Sequence, residues 1–213
     1  MPAKLFLLRH GETHSNVAQI YQGHGDSPLT ENGLLMTEEL AAYLKDECFA
    51  GIYCSDLCRG QETAKIVSQY HAVCPTVMPD LRERNYGIWE DMAFDEIEKQ
   101  FPKQYQIWLN DPVHAIIPAA EPLPDLQRRA ILAIKHILEQ HPAPADNVCV
   151  VGHGGINRTI LFHFMGLDLN NFWKIRQSNC CINIIEFGVR PVVALINNTC
   201  HIKQAAVDKI PVY

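Results

Sequence analysis

The chain has 213 residues, 47% hydrophobic and 20% charged, a balance that fits a folded globular protein and excludes a disordered one. Its 12 glycines and 13 prolines exclude collagen-like and low-complexity classes. With 18 basic against 24 acidic residues the formal net charge is -6, so nucleic acid and anionic membranes are poor partners, and an anion must be met by a local basic pocket.

The length predicts one domain over residues 1–213. Met1-Pro2-Ala3-Lys4 runs straight into the apolar stretch Leu5-Phe6-Leu7-Leu8, without the pattern of a signal peptide. No apolar run reaches the roughly 18 residues that span a bilayer. A cytoplasmic location is therefore expected, with the eight cysteines reduced and mostly buried. Lys4–Leu8 reads as a strand buried on both faces. Thr30 reads as the N-cap of a helix to about Lys45, followed by a strand over Gly51–Cys54. Ser55-Asp56 is expected to cap a second helix to about Tyr70, and Val73–Met78 to be extended.

Residues 80–124 differ in character, carrying five of the thirteen prolines and two of the three tryptophans. They read as a helical insertion, bounded at about 84–124, that covers part of a site. Alternation resumes with a helix over Asp125–Gln140, a buried strand over Asn147–Val151 and a helix over Ile156–Phe164. Strands over Cys181–Phe187 and Val192–Ile196 complete the pattern. Alternating β and α elements predict a three-layer α/β/α sandwich with a mostly parallel sheet, whose chemistry lies beyond the carboxyl ends of the strands.

Those ends carry the informative residues. Arg9-His10-Gly11-Glu12-Thr13 and Asn16 follow Leu8; Ser55-Asp56-Leu57-Cys58-Arg59 follows Cys54; Gly152-His153-Gly154-Gly155 follows Val151. Two arginines and two histidines converging on one spot suit a phosphoryl group. Guanidinium forks pair bidentately with phosphate oxygens, a neutral imidazole attacks phosphorus, and a second imidazole donates to the transferring group. His10-Gly11-Glu12-Thr13-His14 is not a zinc-protease motif, because its glutamate is misplaced, and no other ligand cluster indicates a metal. His24 is expected at the pocket rim, Arg82 and Arg84 in ion pairs or solvent, and Arg128-Arg129 on an exposed face.

Leu7-Leu8-Arg9-His10-Gly11-Glu12-Thr13 with Asn16 resembles the signature of the histidine phosphatase superfamily, the phosphoglycerate mutase-like fold. Gln22-Gly23, Ser55-Asp56-Leu57 with Arg59, Leu81-Arg82-Glu83 and Val151-Gly152-His153-Gly154-Gly155 extend the resemblance from Leu5 to about Phe187. It implies His10 as the nucleophile of a phosphohistidine and Arg9, Arg59 and His153 as the phosphate pocket, with Asn16 at its margin. It further implies Glu83 as the proton donor, with Gln22, Gly23 and Gly154 lining the site. No metal or cofactor is implied. Where the family commonly has glycine after the Trp-Glu pair, this chain has Asp91, a departure expected to shift the turn before the insertion and with it Glu83.

The superfamily holds both phosphatases and mutases. Asn85–Gln127 contains no arginine, whereas the mutases carry an arginine pair there, so the resemblance favours a phosphatase of small phosphomonoesters similar to alpha-ribazole and broad-specificity phosphatases. The alternatives are phosphoglycerate mutase activity and, in another class, a non-catalytic phosphate-binding or signalling module. Trp89, Phe94, Tyr105, Trp108 and Ile116-Ile117 are expected to form a partly apolar lid. The oligomeric state, a homodimer included, is open.

Overall fold

The computed structural model describes residues 3–203, so the two ends of the expected 1–213 domain lie outside the described residues. Six strands form one sheet: β1 (Lys4–Arg9), β2 (Phe49–Cys54), β3 (Thr76–Val77), β4 (Asn147–Gly152), β5 (Ile182–Glu186) and β6 (Val192–Asn198). Their order is β3-β2-β4-β1-β5-β6. The pairs β3-β2, β2-β4 and β4-β1 are parallel, while β5 runs antiparallel to β1 and β6 to β5. The helices are α1 (His14–Val17), α2 (Glu31–Leu44), α3 (Cys58–Ser68), α4 (Phe94–Gln100), α5 (Pro102–Asn110), α6 (Leu123–Gln140) and α7 (Gly154–Met165).

The two central strands show why the fold has three layers. Side chains alternate across a strand, so Leu5, Leu7, Val148 and Val150 face one way and Phe6, Leu8, Cys149 and Val151 the other. The first set joins a core with α6, α7 and the aromatic residues of 80–124; the second packs against α2 and α3. Both faces are dry, which is the reason these strands are continuous apolar runs. Among the described residues no helix is long and apolar enough to cross a membrane. The cysteines are all free, four of them buried, but Cys48, Cys74 and Cys200 are exposed, so burial is less general than expected.

Several boundaries differ from the sequence expectation, each for a local reason. Neither Ser55 nor Asp56 caps α3: its N-cap is Leu57, with no side-chain bond, and the Cys58 N–H donates to Asp26 Oδ1 (2.9 Å) from a distant loop. Ser55 and Asp56 have other partners, His153 and Arg82. Only Thr76–Val77 of the extended 73–78 segment pairs, since Pro75 has no N–H to offer a ladder. The short helix α1 was not anticipated; Thr13 and Asn16 cap it reciprocally. Helix α7 starts at Gly154 rather than Ile156, because His153 is extended and serves as the N-cap. That places both glycines in its first turn, where N–H groups have no partner within the helix.

Asp91 has φ of 63°, the left-handed conformation that glycine adopts freely and aspartate tolerates, and its N–H donates to Tyr21 O (2.8 Å). The turn after Trp89-Glu90 thus takes a glycine-like conformation without a glycine. The aromatic residues of the insertion divide. Trp89, Tyr105, Trp108 and Ile117 are buried core rather than lid, and Ile116 is 83% exposed. Phe94 is half-buried and faces the cleft described next.

Candidate active site

A cleft opens at the carboxyl ends of β1, β2 and β4, enclosing about 900 Å³ with the open solvent at its mouth included. Arg9, His10, Asn16, Gln22, Gly23, Arg59, Glu83 and Gly154 all line it. His153 does not. It is fully buried behind the cleft wall, its ring 5.1 Å from that of His10.

His10 ends β1 and is pinned from several sides. Its backbone N–H donates to Gly152 O (3.2 Å), and its carbonyl accepts from Cys180 N (3.2 Å) and Asn179 Nδ2 (3.1 Å). The ring is fixed by its Nδ1, 2.7 Å from Gly11 O. A carbonyl only accepts, so Nδ1 carries the hydrogen and Nε2 keeps its lone pair. Burial, then Arg59, then Arg9 hold the His10 pKa well below the ordinary 6.5, so the ring is neutral at pH 7.

Arg59 projects from the first turn of α3 and is itself buried. Its terminal nitrogens donate to Gly25 O and Gly23 O, both at 2.8 Å, and its Nε donates to His153 Nδ1 (3.3 Å). His153 Nδ1 is therefore an acceptor and Nε2 bears the hydrogen, donating to Ser55 Oγ (2.7 Å). Burial first, then Arg59, keeps this ring neutral as well. Gly23 adopts φ of +51°, and a β-carbon there would lie 2.0 Å from Glu90 Oε1, so only glycine allows the close approach of this loop to the Glu90 side chain.

Glu83 reaches the cleft from the opposite side. Its Oε1 accepts from Arg84 N (2.8 Å) and Ile156 N (3.0 Å), and its Oε2 from Gly155 N (2.8 Å). The amino end of α7 thus grips the carboxyl group, and Gly155 permits it: a β-carbon there would sit 2.4 Å from Oε1. Oε2 has the single donor and so has room for a transferable proton.

The remaining expected residues have quieter places. Asn16 Oδ1 takes three donors, from Thr13 N, Thr13 Oγ1 and Asn179 Nδ2, leaving its amide NH2 for a ligand. His24 stays at the rim, with Nε2 3.0 Å from Glu83 O. Arg82 turns away into a bidentate pair with Asp56 (2.6 and 2.5 Å). Arg84 is not solvated, and among the described residues it has no ion pair: it is buried, with its guanidinium 4.3 Å from the Trp108 ring centre. Arg128 is exposed as expected, but Arg129 is not, since it pairs with Glu121 (2.8 Å) and donates to Arg82 O and Glu83 O.

Sequence reasoning missed Asn179 and Arg158. Asn179 lies 163 residues from Asn16, so nothing local announces their bond. Arg158 had a signal, being the sole charge in the buried run Gly154–Phe162.

The family described as the Histidine phosphatase superfamily (branch 1) matches residues 5–199. The chain belongs to that superfamily. It is 30% identical over 186 residues to the adenosylcobalamin/alpha-ribazole phosphatase of Escherichia coli (strain K12), covering 87% of this chain and 90% of that protein. It is 32% identical over 216 residues to the probable phosphoglycerate mutase GpmB of Yersinia pestis (strain Pestoides F), covering 97% and 98%. The structure of Bacillus stearothermophilus YhfR superposes with a TM-score of 0.89 at 32% identity, over 94% of this chain and 99% of that one. The fold and its relatives include both phosphatases and mutase-like proteins.

Proposed function

We propose that this histidine phosphatase relative hydrolyses small phosphomonoesters through a phosphohistidine at His10, without a metal. The observation that supports this best is the His10 ring: neutral, with Nδ1 committed to Gly11 O and Nε2 left with its lone pair beside two arginines.

In the first step the Nε2 lone pair forms a bond to phosphorus while the ester P–O bond breaks. The leaving oxygen takes the proton from Glu83, whose Oε2 is placed to carry it. Arg9 and Arg59 offset the charge that develops on the phosphoryl oxygens. Asn16, Gln22, Gly23 and Gly154 line the substrate's path. In the second step a water attacks phosphorus, Glu83 takes its proton, the P–N bond breaks and inorganic phosphate leaves. His153 positions Arg59 by accepting its Nε–H at Nδ1, while its own Nε2–H donates to Ser55. Phe94 and Leu109 from the insertion form an apolar side of the cleft that contacts the alcohol part of the ester.

Wild-type protein given p-nitrophenyl phosphate in the presence of a chelator should release phosphate, and His10→Ala should lose that activity by about 10⁴-fold or more. Absence of hydrolysis by the wild type from acid to neutral pH would overturn the reading. The similarity to a probable mutase over 97% of the chain favours one rival. Transfer of phosphate between phosphoglycerates with little net release would establish that rival instead.

A further inference from the structure

Asn179 belongs to none of the segments that mark the site in the sequence, yet it enters the cleft beside the nucleophile, with only 3% of it exposed. Its side-chain Nδ2 lies 3.1 Å from His10 O, 3.1 Å from Gly11 O and 3.0 Å from Asn16 Oδ1. Backbone carbonyls only accept, so the amide turns its NH2 towards all three oxygens. Two hydrogens serve three acceptors, and one N–H is shared.

Two of these acceptors bear on the chemistry. Gly11 O is also the acceptor for the His10 ring, 2.7 Å from Nδ1. The two lone pairs of that carbonyl are thus taken by the ring and by Asn179, while the Gly11 N–H is tied to Thr63 Oγ1 (3.0 Å). The peptide groups on both sides of Gly11 are therefore fixed, and the ring bonded to the carbonyl keeps its aim. The other acceptor is Asn16 Oδ1, which Thr13 N and Oγ1 hold from the cap of α1 and Asn179 holds from the turn before β5.

That turn is bent to deliver Asn179. Cys180 has φ of 56°, a left-handed conformation uncommon outside glycine. Its N–H donates to His10 O (3.2 Å), its carbonyl accepts from His201 Nε2 (3.0 Å), and Cys181 N donates to Ser178 O (3.1 Å). Strain of this kind persists only where the surroundings over-determine it, and it collects at functional sites.

We propose that Asn179 is a positioning residue of the reaction. Through one amide it holds the Gly11 carbonyl that aims His10 and the Asn16 oxygen whose placement turns the Asn16 NH2 to the cleft. This rests on the phosphohistidine reading above and adds a residue that acts through the nucleophile and Asn16. The phosphate is gripped by arginines, so loss of Asn179 costs aim rather than grip.

The test uses p-nitrophenyl phosphate, inorganic phosphate as competitive inhibitor, and two variants, each read above its own acid limb. Asn179→Ala removes the donors but leaves room for a water that donates in their place. Asn179→Asp keeps the shape and turns a carboxylate oxygen towards oxygens that need a hydrogen. kcat should fall by about tenfold in Asn179→Ala and by about a hundredfold in Asn179→Asp. In Asn179→Ala, KM and the inhibition constant of phosphate should stay within about threefold of wild type. A side chain that merely fills space predicts the reverse order, with the isosteric aspartate close to wild type and alanine the poorer. That reverse order, an unchanged kcat in either folded variant, or an alanine loss carried by KM and the phosphate constant would overturn the proposal. Either variant decides alone if the other does not fold. Ring 15N NMR reads the same aim without turnover: His10 should carry its hydrogen on Nδ1 in the wild type at pH 7, and Asn179→Ala should populate both tautomers. If the wild type hydrolyses no phosphomonoester, the phosphatase reading fails separately and the spectra decide. A mixture only in the variant then upholds the role of Asn179, and one tautomer in both proteins refutes it.

Discussion

The floor and the wall of the cleft are built on different principles. On the floor, the His10 ring is fixed by its neighbour Gly11, and the His10 backbone, Arg59, Glu83 and Asn16 are held by hydrogen bonds from elements far apart in the chain. The wall depends on packing: Tyr86 and Trp173 line the cleft and stand edge-on to the fully buried Trp108 behind them, which also meets Phe172 at a tilt of 47°. A polar floor holds charge in one geometry, because each side chain has lost its alternatives. An aromatic wall fixes shape, and its side chains can be exchanged without changing the reacting groups. Chemistry on this fold should therefore tolerate changes in the wall that alter selectivity, and should not tolerate changes in the floor.

The comparison is broken most severely by removing its packing. Trp108→Ala deletes a fully buried ring and the indole hydrogen bond to Tyr21 Oη (2.8 Å), and should cost about 3–5 kcal/mol in urea unfolding. If folded at low temperature, the variant should retain a working His10. A loss of under 1 kcal/mol or so would mean the wall is not held by this ring.

Next in size is a change to the floor. Arg59→Ala should lower kcat by about 10²–10³-fold, equivalent to roughly 2.7–4 kcal/mol. It should also move the acid limb of the kcat/KM profile. In the wild type that limb lies below 6.5, since His10 must be neutral to attack and its pKa is depressed. Loss of the Arg59 charge raises that pKa, so the limb should climb towards 6.5. A limb that stays put would separate Arg59 from the nucleophile.

The two buried histidines carry a smaller effect. Their pKa values lie below 6.5 in the folded protein and near 6.5 when unfolded, so the unfolded chain binds more protons on acidification. Stability from this source is complete above pH 6.5 and is lost as the pH falls, by about 1.4 kcal/mol per pH unit for each ring until its folded pKa is reached. Denaturant titrations at several pH values check this, and His153→Asn should flatten the slope. The smallest effect belongs to the edge of the wall. Asp91→Gly relieves a left-handed φ of 63° and should stabilise by about 1 kcal/mol or less, with kcat unchanged.

The floor was more legible in the sequence than the wall. Arg9, His10, Arg59 and His153 could be found because apolar runs mark strands and the polar residues just beyond them fall together at one sheet edge. The division of the core into two faces followed from the same runs. Other features depend on partners remote in the chain. Ser55 reads as a cap until its hydroxyl is seen on His153, 98 residues away. Glu83 reads as one of three neighbouring charges until α7 is seen to begin at Gly154 and present its N–H groups. Trp108 reads as a surface lid because its periodicity shows only that one side is buried, not which neighbour covers the rest. Arg158 was visible as a charge in an apolar run, a pattern that asks for an anion or an aromatic partner, and it has two aromatic ones.

The central claim is that phosphate passes through the His10 Nε2. Acid and base quenching of the protein with a 32P-labelled phosphomonoester, followed by peptide mapping, tests it most directly. The account predicts a label on the peptide containing His10 that is stable in base, lost in acid and absent from His10→Ala. A wild type that releases phosphate at full rate with no such label, or a label on another residue, would contradict it.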